Sequence, residues 1–280
     1  MTASTVVPTR AYGRAMSRLL GPLALLLVSC SSEPAPEPPS GNPVIIPTTG
    51  TIRGGITMLA NAGAERVFEG TFDNAPPAEP CTKEEVAKCK VRTCTGATSP
   101  TPGAPFDPGT ITLTSPSVGS GVLPIKDGVG RLVQPGDLKD GEDVRFVSSA
   151  GFDLTAKAPT RVALGTFGGC SFGSLAACTV DGKAPTLTWA PGVEGDYVTM
   201  NLSPAIDGYP RVIVSCSFPA AGGIGKPPEA ALAKLDRTAK QTLFVTMSRA
   251  PVVTGVSDRQ TGVTASRYLP GGRITVQLVP

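Results

Sequence analysis

Asp196-Tyr-Val-Thr-Met-Asn-Leu202 and Arg211-Val-Ile-Val-Ser-Cys-Ser-Phe218 flank an Asp207-Gly208 pair, and this strand–turn–strand stretch decides the fold. In the first run Val198, Met200 and Leu202 alternate with Tyr197, Thr199 and Asn201. Successive side chains leave a strand on opposite sides, so a period of two marks a strand with one buried face. Asp-Gly between two such runs is a turn signal.

The same pattern extends outward in both directions. Upstream lie Gly50-Thr-Ile-Arg, Gly55-Ile-Thr-Met-Leu, Arg66-Val-Phe-Glu-Gly-Thr-Phe72 and Gly109-Thr-Ile-Thr-Leu-Thr-Ser115. Glu142-Asp-Val-Arg-Phe-Val-Ser148, Thr160-Arg-Val-Ala-Leu-Gly165 and Pro185-Thr-Leu-Thr-Trp189 follow. Downstream lie Gln241-Thr-Leu-Phe-Val-Thr-Met247 and Arg273-Ile-Thr-Val-Gln-Leu-Val279, and Asp127-Gly128 and Asp181-Gly182 mark further turns. Many short strands with turn punctuation predict an all-β chain of immunoglobulin-like β-sandwich modules rather than βαβ units. One module is expected over residues 50–158 and a second over 159–280, or the two as one continuous domain. Two short helices are expected as connectors. Thr82-Lys-Glu-Glu85 has the capping-box pattern, and Pro227-Pro-Glu-Ala-Ala-Leu-Ala-Lys-Leu235 has Pro and Glu in its first turn.

The first thirty residues read as an export signal. Arg10, Arg14 and Arg18 are their only charges, and the apolar run from Leu19 to Ser29 is too short to span a bilayer. The run ends in Leu27-Val28-Ser29-Cys30, which resembles the lipobox of bacterial lipoproteins. The resemblance implies a signal peptide over residues 1–29, removed before Cys30, and acyl chains on Cys30 that enter the membrane. Several chains hold a protein firmly where one holds it marginally. Ser31, where retained lipoproteins carry Asp, implies sorting to the outer membrane. Residues 31–49, rich in Pro, form a semi-extended tether behind the lipidated cysteine.

After Cys30, twenty-two basic residues face twenty-two acidic ones, so the mature chain is neutral. Its Lys and Arg are dispersed. Lys88, Lys90 and Arg92 alternate as on one solvated strand face, which argues against nucleic acid. Cys81, Cys89, Cys94, Cys170, Cys178 and Cys216 form an even set, which in an exported chain predicts three disulfides. Fifteen connectivities are open. The Gly-rich loop favours Cys170 with Cys178, and the other four are expected to join the N-terminal segment to the strand of Cys216. Zinc is disfavoured, since the chain has no His and no C-x-x-C.

Three motifs suggest chemistry and are declined. Gly169-Cys170-Ser171-Phe172-Gly173 matches the hydrolase elbow, but there is no His to act as base and no S-x-x-K. Gly222-Gly-Ile-Gly-Lys226 has Ala220 in place of the first P-loop Gly and Pro227 in place of the magnesium-binding hydroxyl. Asp137-Leu-Lys-Asp-Gly-Glu-Asp143 gathers Asp137, Asp140 and Asp143, which makes calcium the one cofactor to test. It lacks EF-hand spacing, so an inter-strand turn is the expected role. Trp189 is expected in the core rather than, with the Tyr197–Tyr209 region, on a sugar-binding face. Asn201-Leu-Ser203 is a sequon by pattern only.

From Pro185 onward the Leu-Thr-Trp strand, the two runs quoted first, Pro228-Glu-Ala-Ala-Leu-Ala-Lys-Leu235 and the Leu-Phe-Val-Thr-Met strand resemble β-sandwich modules of secreted lipoproteins of environmental bacteria. The segment from Phe72 to Cys94 fits that group too. The resemblance implies a secreted sandwich and brings no site residues. The expectation is a membrane-anchored, non-enzymatic protein of the outer membrane, serving envelope structure, adhesion or partner binding. Its partner would be another envelope protein or a polysaccharide. A carboxylate-based hydrolase or a carbohydrate-binding protein is the alternative.

Overall fold

The computed structural model describes residues 52–61, 65–72, 81–96, 107–174, 176–206, 211–254 and 260–280. Residues 1–51, which hold the expected signal peptide, Cys30 and the expected tether, lie outside them, as do Asp207, Gly208 and Tyr209.

The chain begins with β1 (Ile52–Asn61), β2 (Glu65–Phe72), β3 (Cys81–Val86) and β4 (Cys89–Cys94). Next come β5 (Ile111–Ser115), β6 (Gly119–Leu123), β7 (Ile125–Lys126), β8 (Val129–Pro135), β9 (Asp143–Ser148) and β10 (Asp153–Lys157). The later part holds β11 (Leu164–Phe167), β12 (Cys170–Ser171), β13 (Cys178–Asp181), β14 (Leu187–Trp189), β15 (Asp196–Pro204) and β16 (Arg211–Pro219). It closes with β17 (Ile224–Gly225), α1 (Glu229–Leu232), β18 (Gln241–Arg249), β19 (Val252–Thr254) and β20 (Gln260–Val279).

One long sheet runs β3-β4-β16-β15-β18-β20-β1-β2-β8-β7, with β13 and β19 also paired to β20. Two four-stranded sheets, β10-β9-β5-β6 and β12-β11-β14-β17, complete the described strands. Cross-strand partners share a face, which fixes where the core lies. Phe68 stands opposite Met58, Met58 opposite Ala265, Arg267 opposite Met247, Met247 opposite Val198, and Val198 opposite Phe218. All seven are buried. Both small sheets therefore pack on the same face of the long one. The β5–β10 sheet closes a core around Phe68, Phe72, Leu113 and Phe146, with Val263 and Ala265 of β20. The β11–β17 sheet closes another around Phe167, Leu187, Trp189, Met200 and Phe218, with Leu269, Ile274, Val276 and Leu278 of β20. The result is the all-β, sandwich-like, disulfide-stapled class expected from the sequence.

β20 serves both cores, and an insertion lets it do so. Tyr268 pairs with Thr246 but Arg273 pairs with Phe244, so extra residues bulge out of β20 between them. The inward set shifts from odd positions (Val263, Ala265, Arg267, Leu269) to even ones (Ile274, Val276, Leu278). Gly271 sits in this bulge at φ 66°, a conformation costly for a residue with a Cβ. Pro270, which cannot donate to a ladder, is tolerated at such an irregularity.

The helix expected at Thr82–Glu85 is instead strand β3. Cys81 to Val86 pairs in register with Cys94 to Cys89, around a turn at Ala87 and Lys88 with φ of 47° and 69°. Positive φ at both central residues is the hairpin geometry that matches strand twist. A capping box is worth about 1 kcal/mol and cannot nucleate a helix alone, so the ladder and two disulfides prevail. The second expected helix is present as the single turn α1, with Ala231, Leu232 and Leu235 buried.

Candidate binding groove

Disulfides join Cys81 to Cys94, Cys89 to Cys216 and Cys170 to Cys178. The first two staple β3 to β4 and β4 to β16, across sequence separations of 13 and 127 residues. They are placed where packing is weakest, since β3 is an edge strand with no fully buried residue. Its charges, Lys83, Glu84 and Glu85, also keep that edge from pairing with other chains.

At this end the outward face of the long sheet forms a groove of about 670 Å³, lined by β3, β4, β15 and β16. The ladder places its side chains. Lys83 stands directly opposite Arg92, and Glu85 opposite Lys90. Lys90 in turn faces Ser215, Arg92 faces Ile213, and Ser215 faces Asn201. Each lies on the face opposite the buried Val91, Val214 and Met200, because adjacent strand residues alternate sides. On the floor, the Ser215 hydroxyl donates to Asn201 Oδ1 at 2.6 Å. Glu84 points the other way and pairs with Lys234 at 2.9 Å. Glu84 and Glu85, neighbours on β3, thus project to opposite sides of the strand. Beyond the groove the same face carries hydroxyls that bond to one another: Thr199 Oγ1 lies 2.9 Å from Ser217 Oγ and 2.8 Å from Ser248 Oγ.

The acidic segment singled out in the sequence is a different kind of polar site. Asp137 and Asp140 accept hydrogen bonds from Arg161, both at 3.1 Å. Asp137 also meets Arg267 Nη1 at 3.2 Å, and Arg267 Nη2 lies 3.6 Å from Asp140. Arg267 is 1% exposed and donates further to the carbonyls of Pro159 and Leu138, at 2.9 and 2.8 Å. Burial pulls its pKa down, against the pull of Asp137 and Asp140. Asp143 does not join this group: it pairs with Lys157 at 2.8 Å. The carboxylates proposed for calcium are held by arginines and a lysine, and no group of three or more metal-ligating side chains occurs among the described residues. Between them, Glu142 is caged by the Ser117 amide and hydroxyl, both at 2.6 Å, and by the Lys139 amide at 2.8 Å. Burial alone would raise its pKa. The hydrogen bonds from Ser117, Lys139 and Ser115 outweigh burial and hold it at about 2.

The other motifs resolve into structure. Trp189 is 4% exposed, donates from Nε1 to the Ala220 carbonyl at 2.7 Å and packs on Phe218. Tyr197 lies on the opposite side of the long sheet, opposite Ser248, so these two do not share a sugar-binding face. Ser171 sits exposed on β12, paired with Thr166 and next to the disulfide-bonded Cys170. Gly225 lies under the Phe218 ring, where an added Cβ would come within 2.6 Å, which accounts for the glycine without any phosphate. Sequence reading saw Lys90 and Arg92 only as a solvated strand face. It had no means to join them to Ser215 and Asn201, more than a hundred residues on.

No family model matches the chain, and no curated protein matches it. Among solved structures, the crystal structure of chicken CNTN1 FN1-FN3 domains aligns over 73% of this chain and 77% of that one, at 9% identity and a TM-score of 0.20. A likeness that distant adds nothing to the fold or the function.

Proposed function

We propose that the protein is a lipid-anchored envelope module that binds a partner through the β3-β4-β16-β15 groove. The groove carries this reading. It is a concavity within the roughly 300–1,000 Å³ range of small-ligand sites, and its walls are covalently stapled. Three disulfides belong to an oxidising, exported setting. The Arg-rich leader, the lipobox-like Leu27–Cys30 and the Pro-rich residues 31–49 support an anchor with a spacer. Ser31 favours the outer membrane.

Two measurements test the two halves of the proposal. In a Gram-negative host, the wild-type chain partitions into detergent with membranes and Cys30→Ser does not. A wild-type chain recovered as soluble periplasmic protein removes the anchor. A photo-crosslinking residue at Ser215 in intact cells captures an envelope component, and Lys90→Glu abolishes the capture. Crosslinking no stronger than that of the same probe at exposed Val193 removes the groove as a binding site.

A further inference from the structure

We infer that the groove floor and the sheet face beside it recognise an extended, neutral polysaccharide. The inference rests on reading the groove as a binding site and names its ligand class. The wall carries Lys83, Lys90 and Arg92 together with Glu84 and Glu85. Lys83 and Arg92 have partners of their own, Glu84 holds Lys234 at 2.9 Å, and Glu85 stands opposite Lys90. Such a wall is mixed in sign and answered within the protein, so it presents no field of one sign to a charged ligand. Recognition falls to the uncharged floor of Asn201, Ile213 and Ser215.

The ladder carries that floor onto an aromatic surface. Asn201 stands directly opposite Phe244 of β18, and Phe244 opposite Arg273 of β20. In the neighbouring row Thr199 faces Thr246, and Thr246 faces Tyr268. The Phe244 and Tyr268 rings lie 5.1 Å apart, tilted by 56°. Both are half-buried on the outward face, since Leu243, Val245, Arg267 and Leu269 beside them are buried. An aromatic ring is a broad, rigid apolar surface, which suits the C–H face of a sugar ring. Beside it, Ser215 donates to Asn201 Oδ1, which leaves the Asn201 amide N–H groups to donate to a ligand, while the serine oxygen can still accept. Ring hydroxyls offer both functions. A peptide strand would need an open sheet edge, whereas β15, β18 and β20 are flanked on both sides. A face that crosses successive strands at a spacing of about 4.8 Å fits a straight chain of rings better than a coiled one.

Titration calorimetry of the purified full-length protein tests this, with cellohexaose and chitohexaose as probes. Maltohexaose, hexagalacturonate and the uncharged peptide hexaserine are the comparators. At least one probe binds, and its affinity changes by less than about twofold between about 50 mM and about 500 mM salt, because no ion pair is screened. Phe244→Ala and Asn201→Ala each weaken it by about tenfold. Phe244→Tyr, which keeps the ring, stays within about threefold of the wild type. Unchanged melting temperatures show that the variants are folded. Proton spectra read the same contact without a substitution, as the ring signals of Phe244 and Tyr268 shift when the probe saturates the protein. Failure of both probes to bind, equal binding of any comparator, insensitivity to either alanine variant, or unmoved ring signals each overturns the inference. Envelope capture at Ser215 without binding of either probe leaves the binding reading standing and removes only the ligand assignment. Loss of both removes both.

Discussion

The Asp137–Asp143 loop and the β3–β4 hairpin carry similar densities of charge and use them in opposite ways. In the loop, every aspartate is met by a cation and Glu142 by backbone and side-chain donors. In the hairpin, Lys83, Glu85, Lys90 and Arg92 stand on a face open to solvent. Charge that is complemented inside the fold maintains the fold. Charge on a solvent-facing groove is placed where something external can meet it.

The largest expected effect is at Arg267, inside the loop's network. Arg267→Leu leaves Asp137 with Arg161 alone and strands the carbonyls of Pro159 and Leu138, and loss of one partner of a buried ion pair costs about 3–5 kcal/mol. For a domain of this size, calorimetry should show a melting temperature lower by about 10 °C. A drop of a degree or two would place this network with exposed salt bridges, and the contrast with the hairpin would fail.

Glu142 comes next. Its folded pKa of about 2 lies below the ordinary 4.5, so its contribution is complete above pH 4.5 and is lost as the pH falls through 2. The shift corresponds to a stabilisation of about 3 kcal/mol. Denaturant unfolding followed from pH 7 to pH 2 should show this loss in the wild type, and Glu142→Gln should be less stable at pH 7 with a flatter acid limb. Parallel acid limbs in the two proteins would remove Glu142 as the cause.

The smallest effect sharpens the comparison most. Lys157→Ala removes the exposed partner of Asp143, and stability should fall by about 0.5 kcal/mol or less. A loss as large as that at Arg267 would mean that exposed and buried ion pairs of the loop do not differ.

The strands that alternate cleanly were legible in the sequence. β9, β15, β16 and β18 bury alternate residues, Val144 and Phe146 in β9, Val198, Met200 and Leu202 in β15, Val214, Cys216 and Phe218 in β16, and Leu243, Val245 and Met247 in β18. β3 was not, because a four-residue capping signal is local and the pairing that overrides it runs through Cys94 and, by way of β4, Cys216. Most of β20 was not, because Pro270-Gly271-Gly272 reads as a chain break when it is a bulge inside a strand. The polar sites fail for the same reason at longer range. Asp137 looked like a cation loop because Arg267 stands 130 residues away, and Lys90 looked merely solvated because Ser215 is as remote in sequence. Short-range pattern reveals which face is wet, and long-range pairing decides what that face is for.

The position of β20 has a consequence for how the chain acquires its structure in time. It is synthesised after every other described strand, yet Val263 and Ala265 complete one core and Leu269, Ile274, Val276 and Leu278 the other. Neither half finishes early and waits. Folding is a late, concerted event dominated by contacts between distant parts of the chain, the topology that folds slowly. A polypeptide whose two cores both wait for β20 keeps its sheet open while the rest is made, and the Cys89–Cys216 crosslink ties two strands that meet across a separation of 127 residues.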